Sequence, residues 1–123
     1  MIKLIFCLRR RPELSREEFQ RYWLEQHAPL VRSHAEALGI RRYVQVHSID
    51  DTISRLVGST RNDLDPYDGV AELWFDSLEA IGAAATTDEG RTAGAALLED
   101  EREFIDLDAS PLFLAEEHEI IAA

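Results

Sequence analysis

A histidine that could act as an acid or base lies on the apolar side of a predicted helix near the N-terminus. The helix begins after Ser15, which forms a capping box with Glu18, and ends at Gly39. His27 falls on the stripe that such a helix buries, where an imidazole needs a partner or a chemical role. His34, two turns further on, is assigned to packing. His27 is therefore the first candidate catalytic residue.

A structural role for His27 is the alternative. Pro29 has no backbone N–H, so it leaves the carbonyl of Glu25 without its helical donor. The imidazole of His27 could supply that missing hydrogen bond. Both roles remain open from the sequence.

Two later segments, residues 41–49 and 68–76, alternate in polarity and are predicted to be strands. Each has one mixed face: Tyr43, Gln45 and His47 in the first strand, and Val70, Glu72 and Trp74 in the second. Because these faces lack lysine and arginine, they are typical of a cavity lining. Burial of Glu72 would raise its pKa toward the range of a useful base, unless a nearby arginine pairs with it.

The opposite faces of the two strands are apolar, with Val44 and Val46 in the first strand and Ala71, Leu73 and Phe75 in the second. A sheet with no solvated face must be covered on both sides. Helices of a small domain cover only one side, so a second copy of the chain is expected to cover the other. The sequence therefore predicts a homodimer.

The order of elements predicts a single α+β domain over residues 1–123. A strand over residues 2–8 precedes the first helix, a helical region over residues 77–106 is interrupted near Thr87 and Gly90, and a strand over residues 110–121 closes the chain. The order β-α-β-β-α-β is that of a ferredoxin-like fold with an antiparallel four-stranded sheet.

The connection over residues 50–67 is long for a domain of this size. Ile53, Leu56 and Val57 have helical spacing within it. The segment is interpreted either as a lid or interface element or as a tolerated surface insertion.

Composition narrows the class of function. A net charge of -11 disfavours nucleic acid and anionic membranes as partners. Cys7 is the lone cysteine and lies in an apolar run, so neither a disulfide nor thiol catalysis is expected. The first apolar run is too short for a signal peptide or a membrane span, which predicts a cytoplasmic protein. No metal-ligand spacing or glycine-rich phosphate loop occurs, so no cofactor is expected.

Four stretches together resemble the EthD-like family of dimeric α/β-barrel proteins: "FQRYWLEQHAPLV", "RRYVQVH", "YDGVAELWFDS" and "DEREFID". The most specific element consists of Trp23, His27, Ala28 and Pro29. The resemblance implies that two sheets pack face to face in a dimer, with each subunit keeping a pocket between its sheet and its helices. Val44, Val46, Leu73 and Phe75 would then fill the barrel, and His27 would point at Tyr43, His47 and Glu72.

The family is similar to muconolactone-type isomerases, in which a histidine and a tyrosine at the positions of His27 and Tyr43 line the pocket. It also resembles fungal polyketide-tailoring dehydratases and decarboxylases, and small oxygenases that use no metal or flavin. The resemblance implies cofactor-free proton transfer on a small hydrophobic aromatic or lactone-like compound. A non-catalytic accessory protein of an oxygenase pathway and a cofactor-independent monooxygenase are the alternatives.

The expected roles follow from these comparisons of residue type. His27 would be the general base or acid, Tyr43 would donate to a developing oxyanion, and His47 or Glu72 would orient the proton carrier or relay the proton. The pocket would be shaped by Trp23, Gln45 and Trp74.

Overall fold

A computed structural model describes every residue from Met1 to Ala123. Its sheet has four antiparallel strands in the order β2-β3-β1-β4. The strands are β1 (Ile2–Leu8), β2 (Arg42–His47), β3 (Gly69–Phe75) and β4 (Leu112–Ala115). With helices between β1 and β2 and between β3 and β4, this is the ferredoxin-like arrangement. The predicted α+β fold class is confirmed.

The helices pack on one face of the sheet, apart from the short helix between β2 and β3. In chain order they are α1 (Arg16–Tyr22), a π turn (Trp23–His27), α2 (Ala28–Leu38), α3 (Thr52–Ser59), α4 (Leu78–Ala84) and α5 (Asp88–Glu101), followed by a 3₁₀ turn (Leu107–Ala109). The predicted capping box is present, because Ser15 Oγ accepts from the N–H of Glu18 and the Glu18 carboxylate accepts from the N–H of Ser15. Gly39 ends α2 with φ 74°.

The π turn explains how a proline fits within the first helical run. The N–H of Ala28 donates to the carbonyl of Trp23, five residues back, which widens the helix by one residue. Pro29 then lies in the first turn of α2, where a backbone donor is not required. The wide turn also carries the buried side chains of Trp23 and His27.

Aromatic rings from the first helical run and from the segment after α5 form the core. The ring of Phe19 packs against Trp23 and Phe104 at centroid distances of 5.8 Å and 5.4 Å. The strand side is closed by Phe6, Leu8 and Ala71. The core therefore joins α1, the π turn and the sheet.

The connection between β2 and β3 contains the predicted helical spacing, now seen as α3. Ile53, Leu56 and Val57 are 73%, 65% and 63% exposed. No other part of the chain covers this apolar side. The last strand is shorter than predicted, because the chain leaves the sheet after Ala115.

The pairing of β2 with β3 corrects the predicted cavity face. Tyr43 lies opposite Leu73, and Val44 lies opposite Glu72. Directly opposed residues of antiparallel strands share a face, so Tyr43, Gln45 and His47 lie with Ala71, Leu73 and Phe75, whereas Glu72 and Trp74 lie with Val44 and Val46. The prediction of one mixed face across both strands was wrong. Alternation within each strand does not determine its register against the neighbour.

The same register divides the four residues that were expected to fill a dimer barrel. Leu73 and Phe75 face the helices, while Val44 and Val46 lie on the outer face. In a single chain no helix or strand covers this outer face. Glu117 of the C-terminal tail contacts Trp74 and Lys3 on it, while Val46 is 43% exposed. No helix of the chain is both long and apolar enough to cross a membrane.

The predicted interruption of the second helical region near Thr87 is confirmed. Gly90 allows the junction between α4 and α5 to be short. Thr87 Oγ1 caps α5 by accepting from the N–H of Gly90 at 2.9 Å. A Cβ atom at Gly90 would lie 1.8 Å from the carbonyl oxygen of Ala84. The absence of a side chain therefore allows α5 to start directly against the end of α4.

We expect Gly90→Ala to destabilise the fold by about 1 to 3 kcal/mol, because the added methyl group meets backbone that cannot rotate away. Gly82→Ala is the matched control within α4, where a Cβ meets nothing within 4 Å. That variant should gain up to about 1 kcal/mol from helix propensity. Urea denaturation of the two variants measures both effects, and equal stability of the two would contradict this packing.

Candidate active site

A cavity of about 450 Å³ lies between the sheet and helices α2, α4 and α5. Its lining is mainly apolar and includes Leu4, Phe6, Leu73 and Phe75 from the sheet and Val31 and Ile81 from the helices. The polar side chains that reach it are His27, Tyr43, Arg91 and Glu101. A largely apolar cavity with a few polar groups is typical of a small-molecule site.

His27 is 5% exposed and is held by a carboxylate from α5. Its Nδ1 lies 2.7 Å from Oδ2 of Asp100. Because a carboxylate only accepts, Nδ1 carries the proton and Nε2 presents its lone pair. Burial lowers the pKa of His27, and Asp100 only partly opposes this shift. The ring is therefore neutral at pH 7, with a basic nitrogen that has no partner in the protein.

This contact also answers the structural alternative for His27. The ring bonds the side chain of Asp100 and not the carbonyl of Glu25. The helix accommodates Pro29 through the π turn instead.

Asp100 is fixed by a second donor. Tyr22 Oη donates to its Oδ1 at 2.5 Å. Burial, with a further contribution from Asp100, raises the pKa of Tyr22 to about 12, so this phenol keeps its proton. The ring of Phe104 packs on His27 at 5.1 Å. Together these contacts hold the imidazole in one orientation, as the carboxylate does in a His-Asp pair.

Glu101 lines the same cavity. Neither oxygen of its carboxyl group has a hydrogen-bond or ion-pair partner in the chain. Burial first, and the charge of Asp100 second, raise the pKa of Glu101 to about 7. A substantial fraction of this carboxyl group is therefore protonated at neutral pH.

Asp100 and Glu101 are functional candidates that sequence reasoning missed. They lie in the acidic run "EDERE", which is indistinguishable by composition from a solvated helix end. The available signal was their position, one helical turn before the apolar pair Phe104 and Ile105, both of which are buried.

Tyr43 reaches the cavity with its hydroxyl already accepting one hydrogen bond. Gln45 Nε2 donates to Tyr43 Oη at 2.8 Å and to the carbonyl of Trp23 at 2.9 Å. Burial raises the pKa of Tyr43, while the bond from Gln45 opposes the shift. The phenolic proton remains available for donation to a bound molecule.

Gln45 and His47 form a layer behind the lining. His47 Nε2 lies 2.8 Å from Gln45 Oε1, and its ring stacks on Trp23 at 4.6 Å. Burial lowers the pKa of His47. Of the predicted site residues, the structure therefore brings His27, Tyr43 and Trp23 to the cavity, and places Gln45 and His47 where they support Tyr43 and Trp23.

Glu72 and Trp74 lie on the other face of the sheet and cannot reach the cavity. Glu72 forms an ion pair with Lys3 at 2.8 Å, so its expected partner is a lysine and not an arginine. Trp74 lies between the cationic groups of Lys3 and Arg42, at 4.6 Å and 4.5 Å from the ring centroid. The expectation that Glu72 takes part in catalysis and Trp74 in substrate binding is therefore corrected.

The site thus brings a neutral base, a partly protonated carboxyl group and a phenol into a largely apolar cavity, a combination suited to general acid-base chemistry. No three histidine, cysteine, aspartate or glutamate side chains converge closely enough to hold a metal ion.

Residues 11–108 match the model of the EthD domain. The chain belongs to the EthD domain family. A curated relative, the decarboxylase AgnL1 of Paecilomyces divaricatus, is 28% identical over 79 residues, or 62% of this chain. The chain spans about half, 53%, of that relative's length.

Solved structures share the fold of this EthD chain. An EthD family protein of Bacillus halodurans is 24% identical with a TM-score of 0.63, covering 96% of this chain and 99% of its own. A dimeric ferredoxin-like protein of Thermobifida fusca is 12% identical with a TM-score of 0.57, covering 93% and 88%. The cofactor-independent oxygenase SnoaB of Streptomyces nogalater is 14% identical with a TM-score of 0.57, covering 99% and 97%.

Because the carboxyl group of Glu101 is half-buried without a partner, we expect its ionisation to lower the free energy of unfolding of this EthD domain. Its folded pKa of about 7 exceeds the ordinary value of 4.5, so the folded state binds more protons between these limits. The wild type should therefore lose stability relative to Glu101→Gln as the pH rises from 4.5 through 7, by up to about 3 kcal/mol.

Urea denaturation of both proteins at pH 5 and pH 8 measures this difference. Glu99→Gln, an exposed position two residues earlier on α5, is the matched control and should follow the wild type. Parallel pH dependences of the wild type and Glu101→Gln would show that Glu101 ionises normally.

Proposed function

We propose that this protein is a cofactor-free enzyme that transfers protons on a small, ring-shaped hydrophobic compound, aromatic or lactone-like, in an isomerase, dehydratase or decarboxylase type of reaction. One observation carries the proposal. His27 is oriented by Asp100 and leaves its basic nitrogen unpaired in an apolar cavity. An imidazole in this arrangement can act as a general base that accepts a proton from a bound molecule.

The other lining groups support that reaction. Tyr43 donates to an oxygen of the substrate on which negative charge develops, because its hydroxyl already accepts from Gln45. Trp23 and the apolar residues of the sheet hold the ring. Gln45 and His47 act on Tyr43 and Trp23 and do not touch the substrate.

The similar proteins support chemistry without a cofactor. The curated relative AgnL1 is named a decarboxylase, and the structural neighbour SnoaB a cofactor-independent oxygenase. Decarboxylation requires a proton at the carbon that loses carbon dioxide, which a site with acidic and basic side chains can supply.

The accessory-protein alternative explains the cavity but not the polar pair within it. Binding of a hydrophobic compound needs only the apolar lining. A buried imidazole held by a carboxylate costs desolvation free energy without improving such binding. The geometry therefore favours the enzyme over the binding protein.

We expect His27→Asn to slow proton transfer strongly, because the asparagine amide can still bond Asp100 but has no basic nitrogen. The substrate class is found by incubating the protein in D₂O with a panel of hydroxylated aromatic acids and unsaturated lactones. NMR spectroscopy detects deuterium incorporation, isomerisation or loss of the carboxyl group. The rate should fall by roughly two to four orders of magnitude in the variant.

His34→Asn is the matched control, because His34 lies on the same helical run but outside the cavity lining. Its rate should equal that of the wild type. A rate in His27→Asn within a few-fold of the wild type would contradict the role of His27 as the base.

We also propose that the chain forms a homodimer through the outer face of its sheet. A structural neighbour of the same fold is described as dimeric. The outer face carries Val44, Val46 and Val70, and Val46 is 43% exposed in a single chain. A second sheet placed on this face would remove these side chains from water.

Val46→Asp should shift the protein from dimer to monomer in light scattering at micromolar concentration, because it places an unpaired charge in the interface. Leu78→Asp is the control, since Leu78 is 55% exposed at the start of α4, on the opposite side of the sheet. A wild type that is monomeric at this concentration, or a dimer that survives Val46→Asp, would refute this interface.

A further inference from the structure

The carboxyl group of Glu101 is the only acidic side chain in the cavity lining. Successive residues of a helix point about 100° apart. At the end of α5, Asp100 therefore points at His27 and Tyr22, while Glu101 points into the cavity. One pair of neighbouring residues thus supplies the orienting carboxylate and a second, unpartnered carboxyl group.

No cation forms an ion pair with Glu101. Arg102 follows it on the helix and its charge partly opposes the rise in the pKa of Glu101, but Arg102 is exposed and does not lie in the lining. The only guanidinium of the cavity is that of Arg91, ten residues earlier and about 15 Å away along the helix axis. Arg91 is bound to Asp88 and, at 2.9 Å, to the carbonyl of Thr86.

The charged groups that act on Glu101 are Asp100, which raises its pKa, and the exposed Arg102, which lowers it by less. The charge of Glu101 acts in turn on the hydroxyl of Tyr43 on β2. His27 lines the same cavity from the π turn. The carboxyl group itself has no hydrogen-bond or ion-pair partner, so its protonated form can donate to a molecule in the cavity.

We propose that Glu101 is a second catalytic residue of this site, the acid that delivers a proton to the bound compound while His27 removes one. This inference rests on the proposed function. It adds a donor that the pairing of His27 with Tyr43 does not supply, since a phenol that keeps its proton can stabilise an oxyanion but is a weak acid.

The step balances without an oxidant or reductant. His27 Nε2 takes a proton from one atom of the compound, and the electron pair of that bond moves through the conjugated system. A new bond to hydrogen forms at a second atom as the O–H bond of Glu101 breaks. The product differs by the position of one hydrogen, and solvent then restores the proton of Glu101 and removes that of His27.

The number of protons taken up when a ligand binds tests whether Glu101 donates a proton, and this measurement needs no catalytic turnover. A bound carboxylate can share the proton of Glu101, whereas two ionised carboxylates in an apolar cavity repel each other. The probes are 2-naphthoate and its neutral isostere 2-naphthamide, titrated by calorimetry between pH 6 and pH 9 in two buffers with different heats of ionisation.

We expect the affinity of the wild type for 2-naphthoate to fall nearly tenfold per pH unit above pH 7, with uptake of close to one proton at pH 8. The amide should show neither effect. Glu101→Gln should bind 2-naphthoate without proton uptake, and His27→Asn should retain the uptake.

The other outcomes separate the two proposals. Proton uptake that survives in Glu101→Gln, or binding of the amide without binding of 2-naphthoate at pH 6, would overturn the role of Glu101. Failure of both probes to bind at pH 6 would contradict the proposed function as well.

In the deuterium assay, Glu101→Gln should lower the rate at least tenfold and remove the decline of the rate above pH 7. An unchanged rate and pH profile would show that Glu101 is not the acid.

Discussion

The contact between His27 and Asp100 joins the two halves of the helical layer. His27 comes from the π turn before α2, and Asp100 from the end of α5, so the bond connects elements that are 73 residues apart. α2 packs along α5 above the sheet, and the cavity lies beneath them. Because Tyr22 bonds the second oxygen of Asp100, the contact fixes the roof of the cavity and the direction of its base at the same time.

The π turn is what permits this contact. A regular helix through Trp23 and Pro29 would leave an unsatisfied carbonyl at the proline. In the widened turn the carbonyl of Trp23 accepts from the N–H of Ala28 and also from Gln45 on β2. The backbone irregularity thus ties the helix to the strand that carries Tyr43. π turns occur frequently at functional sites, and here the turn itself positions the candidate base.

The sequence predicted the elements well because local chemistry determines where they begin and end. Ser15 and Glu18 start the first helix, Gly39 ends it, and Thr87 separates α4 from α5, all as expected. These signals act over three or four residues and need no knowledge of the fold. The placement of His27 in a buried position followed in the same way from helical periodicity.

The errors concern contacts between distant segments. Glu72 was placed in the cavity because alternation shows which residues of a strand share a face but not which face of the neighbouring strand they join. Asp100 and Glu101 were missed because a charged helix end is normally solvated, and only tertiary packing makes these two residues half-buried. The candidate site was thus predicted where it depended on one helix and one strand, and not where it depended on α5.

Burial has a common effect on the polar groups of the cavity, because it favours the uncharged form of each. It lowers the pKa of His27 below its ordinary value and raises those of Tyr43 and Glu101. At neutral pH the cavity therefore holds His27 with a free basic nitrogen and Glu101 with a substantial fraction of its carboxyl group protonated. In that protonated fraction a base and an acid line the same cavity before a substrate binds, so neither has to exchange a proton with solvent before the reaction begins.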